Sequence, residues 1–490
     1  MNKIKLNLNE FKDKVYACWL GKNIGGTMGM PYERTHDVLD IKGFITDAGE
    51  PLPNDDLDLQ LIWLHAVEMV GAKNINAEIL GEFWINTIVG NWNEYGISKS
   101  NIRRGLVPPL SGDYNNSWKN SNGAWIRTEI WACLAPGCPE IAAKYATEDG
   151  KVDHGAGEGT VAAAFVAAMQ SAAFVLKDIR KCIDVGLSVI PQDSRMADSV
   201  KFVIECYEKG MNAVDTRNAI QKRNSDIGDG WFEAPSNVSY AVIGLLWGEG
   251  DFKRSMITAI NCGDDTDCTA GTVGATLGIL GGSGSIPNDW KAHIGDRIIT
   301  ISLNLADYKS GGRVPKTCTD LSQRVVAAAP LVLSSNNANV SIVSDENEIP
   351  EGVEQALTEQ CQLWREQNPL IPYSFKISNE IFSATAVLDK EPQIVPFDTV
   401  SGRIIIRSTR YFGDETYNLN LRWWLPDGFT APEMPKTAVI RANNSHSKPV
   451  TEIPFTVNVG ENVSATNRCV LEITALGRST ALYIPFVLIG

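Results

Sequence analysis

Residues 261–282 read NCGDDTDCTAGTVGATLGILGG: a glycine turn, aspartates at 264, 265 and 267, then an apolar run studded with Ala270, Gly271, Gly274, Ala275 and Gly278. The run predicts a buried helix with small faces that let neighbouring backbones approach closely. Acids in a first turn are stabilised by the helix dipole, and one or two suffice for that. Crowding several costs repulsion unless a cation compensates.

The same form occurs upstream in PNDDLDLQLIWLHAVEMV (Pro53–Val70), where Asn54, Asp55, Asp56 and Asp58 open an amphipathic helix. Taken alone, this is a capped helix, since Asn is a favoured N-cap. Two acid-topped helices brought together form an all-oxygen site, and hard oxygen ligands favour Mg²⁺, Mn²⁺ or Ca²⁺ over zinc. A third segment, LGKNIGGTMGMPYE (Leu20–Glu33), is dense in glycine but lacks the phosphate-loop pattern. Close helix packing explains its glycines, and Glu33, in a loop after Pro31, is left for chemistry.

Working outward, helical spacing with terminal glycines continues to about residue 330, giving an all-α bundle over residues 1–330. A polar connector over 331–371 carries a short helix around GVEQALTEQCQLWREQ. From 372 to 490 short alternating runs such as SGRIIIRSTRYF, NLNLRWWLP and CVLEITAL predict an Ig-like β-sandwich. The aromatics of RWWLPDGF offer a sugar-binding face, but Trp423 and Trp424 on successive positions point to opposite faces of a strand, so at least one is core. Docking against the bundle or dimerisation is the expected role of this sandwich.

Composition limits the function classes. The 490 residues carry a formal net charge of −14, which leaves no broad basic field for nucleic acid, although a local basic pocket for one phosphate remains compatible. The longest apolar stretch, Gly159–Leu176, is Ala-rich and broken by Gln170, which suits a bundle helix rather than a membrane span. The ten cysteines show no zinc spacing and read as reduced, buried thiols. No secretory pattern opens the chain, and a cytoplasmic location is expected.

The ordered set of a glycine-rich first helix ending in Glu33, an acidic pair opening the next helix, NSNGAWIRTEIW (Asn120–Trp131), the Asp153-His154 pair and the GDDTDC turn resembles the ADP-ribosylglycohydrolase family. That family includes the hydrolases that remove ADP-ribose from dinitrogenase reductase, and the crystallin J1 proteins. The likeness covers roughly residues 10 to 325, and D-T-D-C with GEGDF at Gly248–Phe252 is similar to a long bacterial branch, here with an added C-terminal β domain. It implies an all-α orthogonal bundle holding two Mg²⁺, or Mn²⁺ in their place, in a central cleft.

By that resemblance Asn54, Asp55, Asp56, Asp265 and Asp267 are metal ligands, while Asp264 is peripheral. Cys268 stands where the family has a hydroxyl; a neutral thiol serves a hard cation poorly. Thr269, next along, is the alternative hydroxyl for the second metal. Asn122, Gly123, Arg127 and His154 match substrate-lining positions. For Arg127 a structural ion pair with Glu129 or another acid weighs equally.

The implied reaction is hydrolysis of the anomeric bond of an ADP-ribosyl group on a protein or small molecule, with Glu33 as general base or water-positioning carboxylate. Two alternatives stand beside it: a metal-dependent hydrolase of smaller ribosides or other glycosides, and an inactive binding or structural relative. The expected partners are an ADP-ribosylated protein or a small ribosyl substrate, without nucleic acid or membrane. Homo-oligomers stay open.

Overall fold

The helices Leu8–Gly29 and Thr266–Gly281 touch through glycine. A Cβ on Gly21 would drive into the Gly274 carbonyl, one on Gly25 into the Ala270 backbone, one on Gly29 into Thr266, and one on Gly278 into Ala17. These pairings run in opposite directions, so the helices are antiparallel with their backbones in contact. The end of the first helix therefore lies at the start of the second, where Thr266 Oγ1 donates to Gly29 O at 2.8 Å. That crossing carries Glu33 toward the GDDTDC turn.

The computed structural model describes residues 3–304, 314–379, 381–408, 416–441 and 450–490. They form two compact units, residues 1–96 with 116–369 and residues 97–115 with 370–490. The first unit is helical, as expected. The Ala-rich run becomes the helix Glu158–Ala172, buried from Gly159 onward. Among the described residues no helix is long and apolar enough to cross a membrane. Residues 331–371 hold the helix Val353–Gln367, preceded by a strand, Val340–Val343, that pairs in parallel with Ile4–Asn7. Ile4 and Leu6 alternate with Lys5 and Asn7, but over four residues only, and Val340–Val343 lacks even that.

The second unit is built from two four-stranded antiparallel sheets. In one, the strands run in the order Ala481–Ile489, Thr466–Ala475, Tyr417–Trp424, Thr437–Ile440; in the other, Ser374–Ser378, Phe382–Leu388, Thr399–Ser408, Val450–Asn458. Alternation fixes which side faces inward: Val400, Ile404 and Ile406 from one sheet and Cys469, Leu471 and Ile473 from the other enter one core. Leu106, Leu110 and Tyr114, from residues 97–115, belong to the same core. The final four residues of the SGRIIIRSTRYF run lie outside the described residues.

Candidate functional site

Asn54 and Asp265 both occupy N-cap positions, but they behave differently. Asn54 Oδ1 accepts from Asp56 N at 2.7 Å and caps its helix, so the aspartates that follow are not needed for capping. Asp265 makes no side-chain cap bond at all; its Oδ2 instead accepts from Asn122 Nδ2 at 2.6 Å. The acids of both helices are thus turned inward toward one another.

There Asp56, Asp267 and Cys268 each offer a ligand atom within 4.8 Å of the others, and all three are buried. Cys268 Sγ donates to Asp56 Oδ1 at 3.3 Å, and Asn54 Nδ2 reaches Asp267 Oδ2 at 3.4 Å. Asp267 Oδ1 has no hydrogen-bond partner among the described residues. Asp55 stands beside this group, with its Oδ2 accepting from Tyr95 Oη at 3.1 Å. Burial first, and neighbouring acids second, push Asp267 far above the carboxylate range. Burial also lifts Asp265 to about 7, and lifts Asp56 to about 6 against the pull of Lys22. Carboxylates this unfavourable in their charged form, with one oxygen unmatched, suit a hard divalent cation.

One cation is already built in. Lys22 Nζ lies 2.9 Å from Asp56 Oδ2 and 3.3 Å from Glu129 Oε1, and donates to Ile126 O at 2.7 Å. Burial lowers its pKa, but Asp56 and Glu129 more than offset this and hold the ammonium above the ordinary lysine value. Glu129 also accepts from Gln60 Nε2 at 2.8 Å and Gln170 Nε2 at 3.1 Å, so this carboxylate is fully framed by polar side chains. Thr269 is not brought in: its hydroxyl donates back to Thr266 O at 3.2 Å, within its own helix.

Glu33 is partly exposed, and its pKa is raised by burial against the pull of Arg34. Its charge is felt by Asp265 and Asp267. Arg127 is fully buried and spent: its guanidinium bonds Asp149 Oδ1 at 2.9 Å, Asp153 at 2.7 and 3.0 Å, and the Gly123 carbonyl. Its ion-pair partners are therefore Asp149 and Asp153, not Glu129. His154 Nδ1 lies 2.9 Å from Asp153 Oδ1, and its Nε2 is 3.1 Å from Ser121 Oγ. Burial opposes ionisation of Asp153, yet Arg127 and then His154 hold it down to about 2.

Gly123 is small for a reason: a Cβ there would strike Glu94 Oε1. Glu94 is buried, its Oε2 has no partner among the described residues, and desolvation lifts it to about 7 against the pull of His154. Asp264, in the left-handed region at φ 67°, fastens the local chain, accepting from Phe232 N at 3.0 Å and Asn237 Nδ2 at 2.8 Å. Asp58 likewise holds a loop, through Ile301 N at 2.7 Å and Ser302 N at 2.6 Å.

The sequence model of the ADP-ribosylglycohydrolase family matches residues 7–315, more than half of the chain. The chain belongs to the ADP-ribosylglycohydrolase family. An uncharacterized protein of Archaeoglobus fulgidus is 24% identical over 324 residues, 62% of this chain and 99% of the relative. A solved structure described as an ADP-ribosylglycohydrolase-related protein complex shares 17% identity with a TM-score of 0.44, covering 66% of this chain and 99% of its own. A solved structure of a FixG-related protein from Vibrio parahaemolyticus shares 11% identity at a TM-score of 0.18, covering 23% of this chain and 97% of its own.

Within this family member, four residues of the site gave little warning in the sequence. Lys22 hides in the glycine-rich segment that reads as packing. Gln60 and Gln170 sit inside apolar runs, and a polar residue at such a position was the available signal. Glu94 had none: NWNEYG reads as an ordinary polar turn.

Proposed function

We propose that the helical unit is a divalent-cation-dependent glycohydrolase that cleaves the anomeric bond of an ADP-ribosyl group on a protein or small molecule. The observation that carries the reading is the meeting of Asp56 and Asp267, from two different helix starts, within 4.8 Å in a buried pocket of acids. Asp55, Asp56, Asp265 and Asp267, with Asn54 beside them, are the residues that would hold Mg²⁺ or Mn²⁺. Such a cation, when bound, supplies Lewis-acid polarisation of the ribose hydroxyls.

The chain's own groups do the rest. Glu33 accepts a proton from the attacking water, and its raised pKa makes it a better base than an ordinary glutamate. Asn122 fixes Asp265 through a 2.6 Å bond, and Lys22 fixes Asp56. Arg127, held by Asp149 and Asp153, positions the Gly123 carbonyl and the segment that carries Asn122. As the sugar gains oxocarbenium character, the surrounding carboxylates favour the developing positive charge.

A second reading, hydrolysis of smaller ribosides or other glycosides, draws support from charge. Lys22 and Arg127, the buried cations bonded into this cluster, are saturated by carboxylates, whereas Glu94 keeps an unmatched oxygen. A substrate without a pyrophosphate suits that balance. The two readings separate on a panel of ADP-ribosyl-arginine, ADP-ribosyl-serine and simple nucleosides, each with Mg²⁺ and with chelator. Chelator-sensitive release from the ADP-ribosyl compounds supports the first reading, release from nucleosides alone supports the second, and no release from any overturns both.

A further inference from the structure

The two tryptophans of RWWLPDGF take opposite sides of the strand Tyr417–Trp424. Trp423 packs inward, its ring 5.5 Å from Phe455 and 5.3 Å from Phe486. Trp424 is 47% exposed, with Arg422 3.8 Å over its ring and its Nε1 donating to Glu472 Oε2 at 2.9 Å. The indole is thus held in a fixed orientation, yet it still presents apolar surface.

Trp424 forms one wall of a cavity of about 760 Å³ whose lining includes Arg103, Arg104, Arg468, Ser464 and Thr466 and contains no acidic residue. No carboxylate among the described residues lies within 4.0 Å of any of the three guanidinium groups. Arg104 is positioned rather than loose: its guanidinium lies 5.7 Å over the Tyr114 ring, and its carbonyl accepts from Thr466 Oγ1 at 3.3 Å. A chain of net charge −14 has gathered three unmatched cations into one pocket. Like charges there repel, and a ligand of opposite charge relieves the cost.

Arginine forks match phosphoryl oxygens in pairs, and an aromatic wall beside them suits a ring. We propose that this pocket binds a small phosphate ester, with its phosphoryl group on Arg103, Arg104 and Arg468 and its ring against Trp424. Nucleotides and sugar phosphates share this chemistry. Hydroxyls at Ser464 and Thr466 supply the neutral polar contacts that either ring requires.

The test is isothermal titration of the full chain in EDTA at low salt, with AMP, glucose 6-phosphate and inorganic phosphate as probes. Chelator keeps divalent cations out of the acidic cluster of the helical unit, so any binding there through a metal is removed. The expected result is one saturable site for AMP or glucose 6-phosphate, whichever ring the pocket prefers. R104A/R468A should weaken it about tenfold or more, the loss of roughly one charge-assisted contact. Trp424→Ala should weaken the ring-bearing probe several-fold while leaving inorganic phosphate unchanged. Should the double variant not fold, R468Q alone, on an exposed strand position, is expected to weaken binding several-fold. No saturable binding of any probe, or affinity unchanged in the arginine variants, overturns the proposal. So does an RNA oligonucleotide that binds far more tightly than AMP, since that marks an extended surface rather than a small-ligand pocket.

Discussion

Lys22 Nζ sits 2.9 Å from Asp56 Oδ2, with both side chains at 1% exposure. The pair places a permanent positive charge against one oxygen of a candidate metal ligand and leaves Oδ1 facing Cys268. Breaking a buried ion pair from one side strands the other charge. Lys22→Met should therefore lose about 3–5 kcal/mol in urea denaturation with chelator present. Adding Asp56→Asn to that variant should recover part of the loss, because the stranded charge is then gone; a single-variant loss near zero would show that the pair holds nothing in place.

The glycine crossing makes a separate prediction about the scaffold. A methyl at Gly21 meets the Gly274 carbonyl, which is backbone and cannot swing away. Gly21→Ala should cost about 1–3 kcal/mol or more, read as a lowered melting temperature. Gly284, whose Cβ would meet nothing within 4 Å, is the control, and its alanine variant should stay within about 0.5 kcal/mol of the parent.

Much of this frame was legible because backbone contact leaves a mark in sequence: Gly21, Gly25, Gly274 and Gly278 recur at helical spacing on two distant segments. The alternation at Val400, Ile404 and Ile406 was equally direct. What stayed hidden depends on partners far away in the chain. Lys22 acquires its meaning only from Asp56 and Glu129, and Glu94 only from His154 and Gly123. Arg127 shows the same limit from the other side, since the sequence offered adjacent Glu129 as a partner while the fold delivered Asp149 and Asp153. Residues 97–115 carry no signal that Leu106 and Leu110 would join a β core.

Glu140 gives the pH dependence. Burial raises its carboxyl to about 7, and its Oε2 has no partner among the described residues. The folded state thus binds this proton more tightly than the unfolded chain, so stability is lost as pH rises from about 4.5 to about 7. Glu140→Gln removes the titration. The variant should match the parent near pH 4.5 and exceed it by about 3 kcal/mol at pH 8, as measured by denaturant midpoints across that range. Parallel profiles for the two proteins would contradict the assignment.

Glu33 is the proposed water-activating base. It lies close enough to Asp265 and Asp267 to raise both, yet it bonds neither. Glu33→Gln should lower turnover on the true substrate by roughly 10²–10⁴-fold with little change in melting temperature. Wild-type turnover in that variant removes Glu33 from the mechanism.

The central claim is that two acid-topped helices hold a divalent cation, and Mn²⁺ titration followed by electron paramagnetic resonance tests it most directly. Chelator-treated protein should bind Mn²⁺ saturably, and Asp267→Asn, which alters the carboxylate with the unmatched oxygen, should weaken binding at least about tenfold. Absence of saturable binding in the parent, or equal affinity in the variant, would contradict the account.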